Sequence, residues 1–400
     1  MSSLTPLTDF LVAMASPENL DKFRSEPAAT MRDYGLTDRQ AEAVTSGERG
    51  WIRMEAVREL ESAGLAPVIT DKIDTDIGMI DPMTMNVSMN NDHFTTNSFN
   101  DFHSTTFNDN THTSISDWRE QVVLNIDDVI SYFAKSDFPA AGSLHVVGSG
   151  IKPLSDLPID ARDRIKSADS VFYCVADPAT EREIHTLNNN ATSLYDLYGN
   201  DKPRVDTYHE MVDVILADVR AGRAVCAVFY GHPGIFAWSP HMAVKIARAE
   251  GYRAEMHPAI SAQDSLFADL GIDPATCGLQ TIDATEFLVH ARILDTYSHV
   301  LVWQAECVGD GGFNFSGYSR RNFPILIERL LQFYPAEHDL IVYDASTLHF
   351  LPPRIVKTTV GRLAPTDLAG ISTLYLPPIG TPPVDTAMLK RLSNPEAQTH

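Results

Sequence analysis

Seven short apolar runs between residues 142 and 378 constrain this chain more than any other feature. They are Leu144–Val147, Ser170–Cys174, Ala224–Phe229, Arg253–Met256, His299–Gln304, Leu340–Tyr343 and Thr373–Leu376. Runs of this length suit strands and are too short for buried helices. Between them lie apolar residues at helical spacing. Met211, Val214, Ile215 and Val219 share one face, and Ile325, Leu326, Leu330 and Phe333 another. Strand–helix alternation predicts an α/β domain, residues 142–378, whose sheet is mainly parallel and covered by helices.

A chain of 400 residues has room for more than one core. Residues 1–63 read as a small all-α module. Leu7, Phe10, Leu11 and Met14 fall on one helical face, and Ser16-Pro17 and Pro27 mark two further starts. Thr37 and Gln40 have the spacing of a capping box, Gly35 and Gly47 end helices, and Trp51–Leu60 supplies a last one. Residues 64–141 change character. The stretch from Met85 to Ser116 is rich in Asn, Thr, Ser, Phe and His, and neither Lys nor Arg occurs between Lys72 and Arg119. Such composition cannot bury a core of its own, which predicts a flexible segment. It ends in a helical pattern from Trp118 that carries Val122, Val123, Ile126, Val129 and Ile130. Residues 379–400 read as a polar tail.

The formal net charge of -22 repels nucleic acid and anionic lipid, so neither is an expected partner. No apolar run approaches the length of a membrane helix, and the first sixteen residues lack the basic start of a secretory signal. Cys174, Cys226, Cys277 and Cys307 stand far apart, as reduced thiols in a cytoplasm would. His93, His103 and His112 have no carboxylate or thiol at ligand spacing, so no metal is expected there.

Three segments carry candidate chemistry. Gly148-Ser149-Gly150 follows the first strand, but Pro153 stands where a dinucleotide fingerprint needs its third glycine, which argues against NAD. Tyr230-Gly231-His232-Pro233-Gly234 and Pro258–Ala262 follow two further strands, at the edge where parallel sheets bind ligands. Tyr195, Tyr198, Arg204 and Tyr208 lie within fourteen positions. An arginine beside a phenol favours the phenolate, so this cluster is a candidate proton acceptor.

Together these motifs resemble the borosin-type peptide α-N-methyltransferases, a branch of the tetrapyrrole methylase fold. The resemblance runs through Val171–Thr180, Tyr195–Tyr208, Val228–Gly234, Ile260–Ala262, Phe267–Leu270, Phe313–Gly317, Ser372-Thr373 and Pro377-Pro378. His232 stands where most tetrapyrrole methylases have aspartate, as in the peptide-methylating branch. The resemblance implies a two-subdomain methyltransferase and a homodimer. It implies S-adenosylmethionine as cofactor and backbone amide nitrogens of a precursor peptide as substrate. Arg204 and Tyr208 would be the centre of amide deprotonation, aided by Tyr195, Tyr198 and Tyr230. Tyr230, His232, Ile235, Ser261, Ala262, Gln304, Ala345, Ser372 and Thr373 would line the cofactor pocket.

The first module resembles the helical leader of split borosin precursors, through Tyr34–Gln40 and Val44–Gly47. A core peptide would then follow it in this same chain and act in cis or on a partner copy. Val68 and Ile69 are the first amides in line, and the stretch 94–112 is the second candidate. Pro67 and Pro82 have no amide proton and are excluded. Two other readings stay open: a methylase acting on a small molecule, and a non-catalytic sensor of S-adenosylmethionine.

Overall fold

The computed structural model describes residues 4–65, 126–135, 137–200, 202–290, 292–313, 318, 320–369 and 372–393. The first module is five helices: α1 Pro6–Ala13, α2 Pro17–Ser25, α3 Pro27–Tyr34, α4 Asp38–Ser46 and α5 Arg49–Ser62. The first three begin with proline, which needs no N–H partner there. Thr37 and Gln40 form the reciprocal capping box at the start of α4. None of these helices is long enough to be stable alone. They cohere through a shared core of Leu7, Phe10, Leu11, Met14, Met31, Ala43, Val44, Ile52 and Ala56. Buried Glu59 of α5 adds a polar clamp. It accepts the N–H groups of Leu7 and Thr8 at 2.8 Å each, and Gln40 Nε2 donates to it at 2.7 Å.

The same core continues into the rest of the chain through Ala179, Leu154, Leu348, Phe350 and Leu351. Phe350 packs 5.5 Å from Phe23 and 5.9 Å from Phe10, centroid to centroid. Arg182 pairs with Asp9 and Thr5 across the seam. The module is therefore docked on the α/β domain by apolar contact with polar pins.

That domain contains two larger sheets and a short ribbon. Its strands are β1 Ser143–Gly148, β2 Ser170–Cys174, β3 Ala191–Ser193, β4 Lys202–Pro203, β5 Ala224–Phe229, β6 Arg253–Met256, β7 Leu279–Asp283, β8 His299–Trp303, β9 Gly312–Phe313, β10 Asp339–Asp344, β11 Arg354–Thr359 and β12 Thr373–Leu376. Its helices, with one just before it, are α6 Ile126–Phe133, α7 Ile159–Ser167, α8 Pro178–Leu187, α9 Arg204–Arg220, α10 Trp238–Ala249, α11 Ala262–Leu270, α12 Ala284–Val289 and α13 Phe323–Leu330; α14 Thr386–Ser393 follows. The first sheet, in the order β3-β2-β5-β1-β6, is parallel throughout. Its strands connect through helices that bury the apolar face expected of α9: Met211, Ile215 and Val219 are fully buried. At the β6 edge, the Tyr132 hydroxyl of α6 accepts the Ala254 N–H at 2.7 Å.

The second sheet departs from the expectation of mainly parallel strands. Its order is β11-β10-β12-β8-β7, and only β7 and β8 run parallel. The reason is local: the links from β10 to β11 and from β11 to β12 contain no α-helix, so the chain turns back on itself rather than crossing over. A smaller departure lies in α13. Leu326 and Leu330 are fully buried, but Ile325 is 51% exposed and lies off that face.

Candidate active site

The carboxyl ends of β1, β5 and β6 converge on one cleft, and glycine makes the convergence possible. A Cβ on Gly148 would lie 2.1 Å from the Gly231 carbonyl oxygen and 2.6 Å from Ala259 Cβ. Gly150 and Gly231 pair as an isolated antiparallel bridge, with left-handed φ of +72° and +66°. An added Cβ at Gly231 would make ordinary contact with Ile151 Cδ1 at 3.6 Å and the Ile260 carbonyl oxygen at 3.9 Å, so the left-handed φ is what calls for glycine there. His232 Nδ1 accepts the Gly234 N–H at 2.9 Å, and the Ile235 N–H bonds the His232 carbonyl at 3.2 Å, which fixes this turn. Burial lowers the pKa of His232, so at neutral pH its imidazole is uncharged.

The second sheet closes the other side. Tyr230, Ala262 and Ala345 meet in one packing cluster with Ile151, Leu266, Trp303 and Tyr343. Ser261 caps α11 through a reciprocal box with Asp264. Thr373 is the register partner of Tyr343, one residue before Asp344 and Ala345. Ser372 Oγ accepts the Ala369 N–H at 2.8 Å. Gln304, expected as the end of a strand, instead leaves β8 with φ 60° and ψ 34°. Among the described residues its buried Nε2 finds no hydrogen-bond partner. This unsatisfied buried amide donor fits a polar ligand such as S-adenosylmethionine.

A second cluster adjoins this cleft. Arg204 opens α9, where its N–H bonds the Gly311 carbonyl at 3.0 Å. The ribbon of β4 and β9 pairs Lys202 with Phe313 and Pro203 with Gly312, so it pins Arg204 against that loop. The guanidinium is 1% exposed. It donates to the Asp310 carbonyl, reaches Cys307 Sγ at 3.9 Å, and lies 5.1 Å over the Tyr318 ring. Burial opposes its charge, but Tyr318, Cys307 and Tyr208 together hold its pKa above the ordinary value. Tyr208, also 1% exposed, stacks 6.5 Å from Trp238. Tyr195 and Tyr198 sit 5.7 Å apart, and Tyr198 packs 4.4 Å from Phe313.

The structure thus gathers Arg204, Tyr208, Tyr195 and Tyr198 in one core, while Tyr230 packs with the cofactor-side residues. Two features differ from the sequence expectation. Two of the phenols, Tyr198 and Tyr318, are not driven toward phenolate. Burial raises Tyr198 well above its ordinary pKa, and it raises Tyr318 despite the opposing pull of Arg204. The ring over which Arg204 lies is Tyr318, which sequence reading missed because it stands 114 positions downstream and shares no motif with Arg204.

Asp283 was also missed. It ends β7 and caps α12 through Oδ1, while its buried Oδ2 has no hydrogen-bond partner among the described residues. Burial raises its pKa to about 7, against an opposing pull from Arg204.

A cavity of about 520 Å³ lies between the helical module and the α/β domain, lined in part by Arg49, Arg53, Asp177, Asp344 and Phe350. Arg49 of α5 donates to the Ala345 carbonyl at 3.4 Å and to the Pro352 carbonyl at 2.8 Å. Burial lowers the pKa of Arg53, and Tyr195, Asp177 and Glu181 pull it back up. The module therefore sends one arginine toward each half of the site. Val68, Ile69 and residues 94–112 lie outside the described residues.

The model of the family described as tetrapyrrole (corrin/porphyrin) methylases matches residues 143–364. A Dendrothele bispora protein described as a methyltransferase/ribosomally synthesized cyclic peptide dendrothelin A precursor is 44% identical over 255 residues, 63% of this chain and 61% of its own. The corresponding omphalotin A precursor of Omphalotus olearius is 43% identical over 256 residues, 63% of this chain and 61% of its own. A type I borosin cyclic peptide precursor of Coprinopsis marcescibilis is 44% identical over 246 residues, 60% of this chain and 63% of its own. The chain spans about three fifths of the length of these relatives.

Proposed function

The chain belongs to the tetrapyrrole methylase family, matched over more than half its length, and on that premise we propose that it methylates backbone amide nitrogens of a peptide, using S-adenosylmethionine. The observation that carries this reading is the buried Arg204–tyrosine core beside the glycine-lined cleft. An amide nitrogen is a poor nucleophile because its lone pair is shared with the carbonyl. Methylation needs the N–H proton removed while charge on the carbonyl oxygen is stabilised. A fixed guanidinium supplies that stabilisation in a dry site. Tyr208, beside it, takes the proton as its phenolate, having released its own proton to solvent before the substrate seats, and Tyr195 and Tyr198 shape the chamber.

Cofactor residues are Tyr230, His232, Ile235, Ser261, Ala262, Gln304, Ala345, Ser372 and Thr373. Bound S-adenosylmethionine supplies an electrophilic methyl group. Gln304 Nε2 would donate to its polar part. The Arg204 charge beside Tyr208 favours that phenolate.

The substrate is a segment of the chain itself, as the relatives' descriptions as methyltransferase and precursor in one support, and we place it between Leu65 and Ile126. The cavity under Arg49 and Arg53 is its route. Geometry ranks the two candidate stretches. Nine residues of α5 separate Arg53 from Ser62, about 14 Å of helix. Val68 lies three residues past Leu65, about 10 Å at full extension. Val68 and Ile69 are thus better placed for the site of a second copy, in the homodimer we propose, and residues 94–112 for reaction in cis. Three of the four cysteines are buried and all are free, which suits a cytoplasmic location.

Incubating the purified full chain with S-adenosylmethionine and weighing it intact tests the reading. Its mass should rise by whole methyl increments, and Tyr208→Phe should prevent the rise. A chain of constant mass that methylates a small molecule would favour the other enzymatic reading.

A further inference from the structure

Away from the cleft, on the first sheet, five side chains meet in a way the methyl-transfer reading does not use. His145 of β1 and Glu255 of β6 are register partners, so they project from the same face. His257 follows Glu255 by two residues and shares that face. From α7 above, Asp160 and Arg164 reach down one turn apart. His145 Nδ1 lies 3.3 Å from His257 Nε2 and 3.9 Å from Glu255 Oε2, and the last two atoms are 3.8 Å apart. A point equidistant from those three atoms lies about 2.1 Å from each, the length of a zinc–nitrogen or zinc–oxygen bond. Asp160 Oδ2 stands 3.3 Å from His257 Nδ1, on the far side of that ring. This is the carboxylate–histidine arrangement that orients a metal-bound imidazole.

We propose that His145, Glu255 and His257 bind one zinc-class divalent cation, at the root of the loop that carries Ser261. The donor atoms are His145 Nδ1, Glu255 Oε2 and His257 Nε2, with water in the remaining position. Proton placement explains why the cluster wants a cation. With a proton on His257 Nδ1 for Asp160, its Nε2 lone pair faces the lone pair of His145 Nδ1 and a carboxylate oxygen. With the proton on Nε2 instead, Asp160 faces a lone pair. With His145 Nδ1 accepting from Arg164 Nη1 at 2.7 Å, either His257 tautomer leaves acceptor against acceptor, and a cation at the centre removes the conflict. Burial, then Arg164, pushes His145 down to about 4, and burial lowers His257 as well. Both rings are thus neutral, the form that ligates.

Two arginines tune the site. Arg253 Nε donates to Glu255 Oε1 at 2.8 Å, which leaves Oε2 for the ion. Arg164 competes, because its Nη1 reaches His145 Nδ1 at 2.7 Å while its Nε holds Asp160 at 2.9 Å. Metal entry swings Nη1 aside. The donor side chains are 19–24% exposed, so the site is open to exchange. His257 also bonds the Val146 carbonyl through its N–H at 2.8 Å. The ion would therefore tie β1, β6 and the start of the Ser261 loop together.

The test uses the full chain, stripped with a chelator and titrated with Co2+ and then Zn2+. One equivalent of Co2+ with visible absorption should bind and be displaced by Zn2+. His145→Ala and His257→Ala should each weaken binding at least tenfold, and Asp160→Asn by about ten- to hundredfold. Arg164→Gln should tighten it, a change of opposite sign that misfolding cannot mimic. Absence of saturable binding, or an equivalent that survives the His145→Ala/His257→Ala double variant, overturns the proposal.

Discussion

The cofactor cleft and the Arg204 chamber adjoin each other but are built in opposite ways. The cleft is a backbone construction. Its shape comes from Gly148, Gly150 and Gly231, from small residues such as Ala262 and Ala345, and from the left-handed turn at Gln304. The chamber is a side-chain construction, in which a buried guanidinium and large aromatic rings fill the space and carry the charge. Substitutions in the cleft should therefore act on cofactor affinity through shape. Those in the chamber should act on the chemical step while leaving affinity alone.

The sharpest break of that contrast would come from the chamber. Arg204→Lys keeps a cation but loses the planar fork. It should slow methylation by about a hundredfold or more, the scale of removing one charge-stabilising donor. Tyr208→Phe should do the same by removing the proton acceptor. Calorimetry should find S-adenosylmethionine affinity within about twofold of wild type for both. A parallel loss of affinity would erase the distinction between the two regions.

Gly148→Ala probes the cleft. Its Cβ would meet the Gly231 carbonyl oxygen at 2.1 Å, so the two loops must part. Affinity for S-adenosylmethionine should fall by about tenfold or more, with the methylation rate at saturating cofactor less affected. The magnitude reflects misplaced hydrogen-bond partners at the cofactor.

Asp283→Asn sharpens the boundary between the regions. The folded-state pKa of Asp283 is raised to about 7 from 3.8, so the native state holds a proton that the unfolded chain releases. That contribution to stability is full below the unfolded value and declines as pH rises through about 4 to 7. The variant escapes this decline. Its melting temperature relative to wild type should therefore rise between those pH values, and a constant difference would argue against a protonated Asp283.

Thr37→Ala, in the helical module, should have the smallest effect. Loss of the capping box costs about 1 kcal/mol. The melting transition should drop slightly with no change in cofactor affinity.

These differences also explain what the sequence reveals. The first sheet was legible because β2 and β5 are short apolar runs between helices, and the observed bounds of β2, β5 and β6 coincide with the expected ones. β7 and β11 were not, because Leu279–Asp283 and Arg354–Thr359 mix polar and apolar residues at a half-exposed sheet margin. The glycine turns of the cleft announce themselves in local sequence. Tyr318, Cys307 and Asp283 do not, since each joins Arg204 only through tertiary packing. The His145–Glu255–His257 cluster was hidden for a similar reason: its two strands pair across more than a hundred residues.

The proposed methylation of the chain's own backbone between Leu65 and Ile126 can be read out residue by residue. The direct measurement is tandem mass spectrometry of proteolytic fragments covering residues 62–141, after expression or incubation with S-adenosylmethionine. Methyl groups should appear on backbone nitrogens in this stretch, with none at Pro67 or Pro82, and should be strongly depleted after the same incubation in the Arg204→Lys and Tyr208→Phe variants. An unmethylated stretch, in enzyme shown to methylate some other peptide, would contradict the proposal.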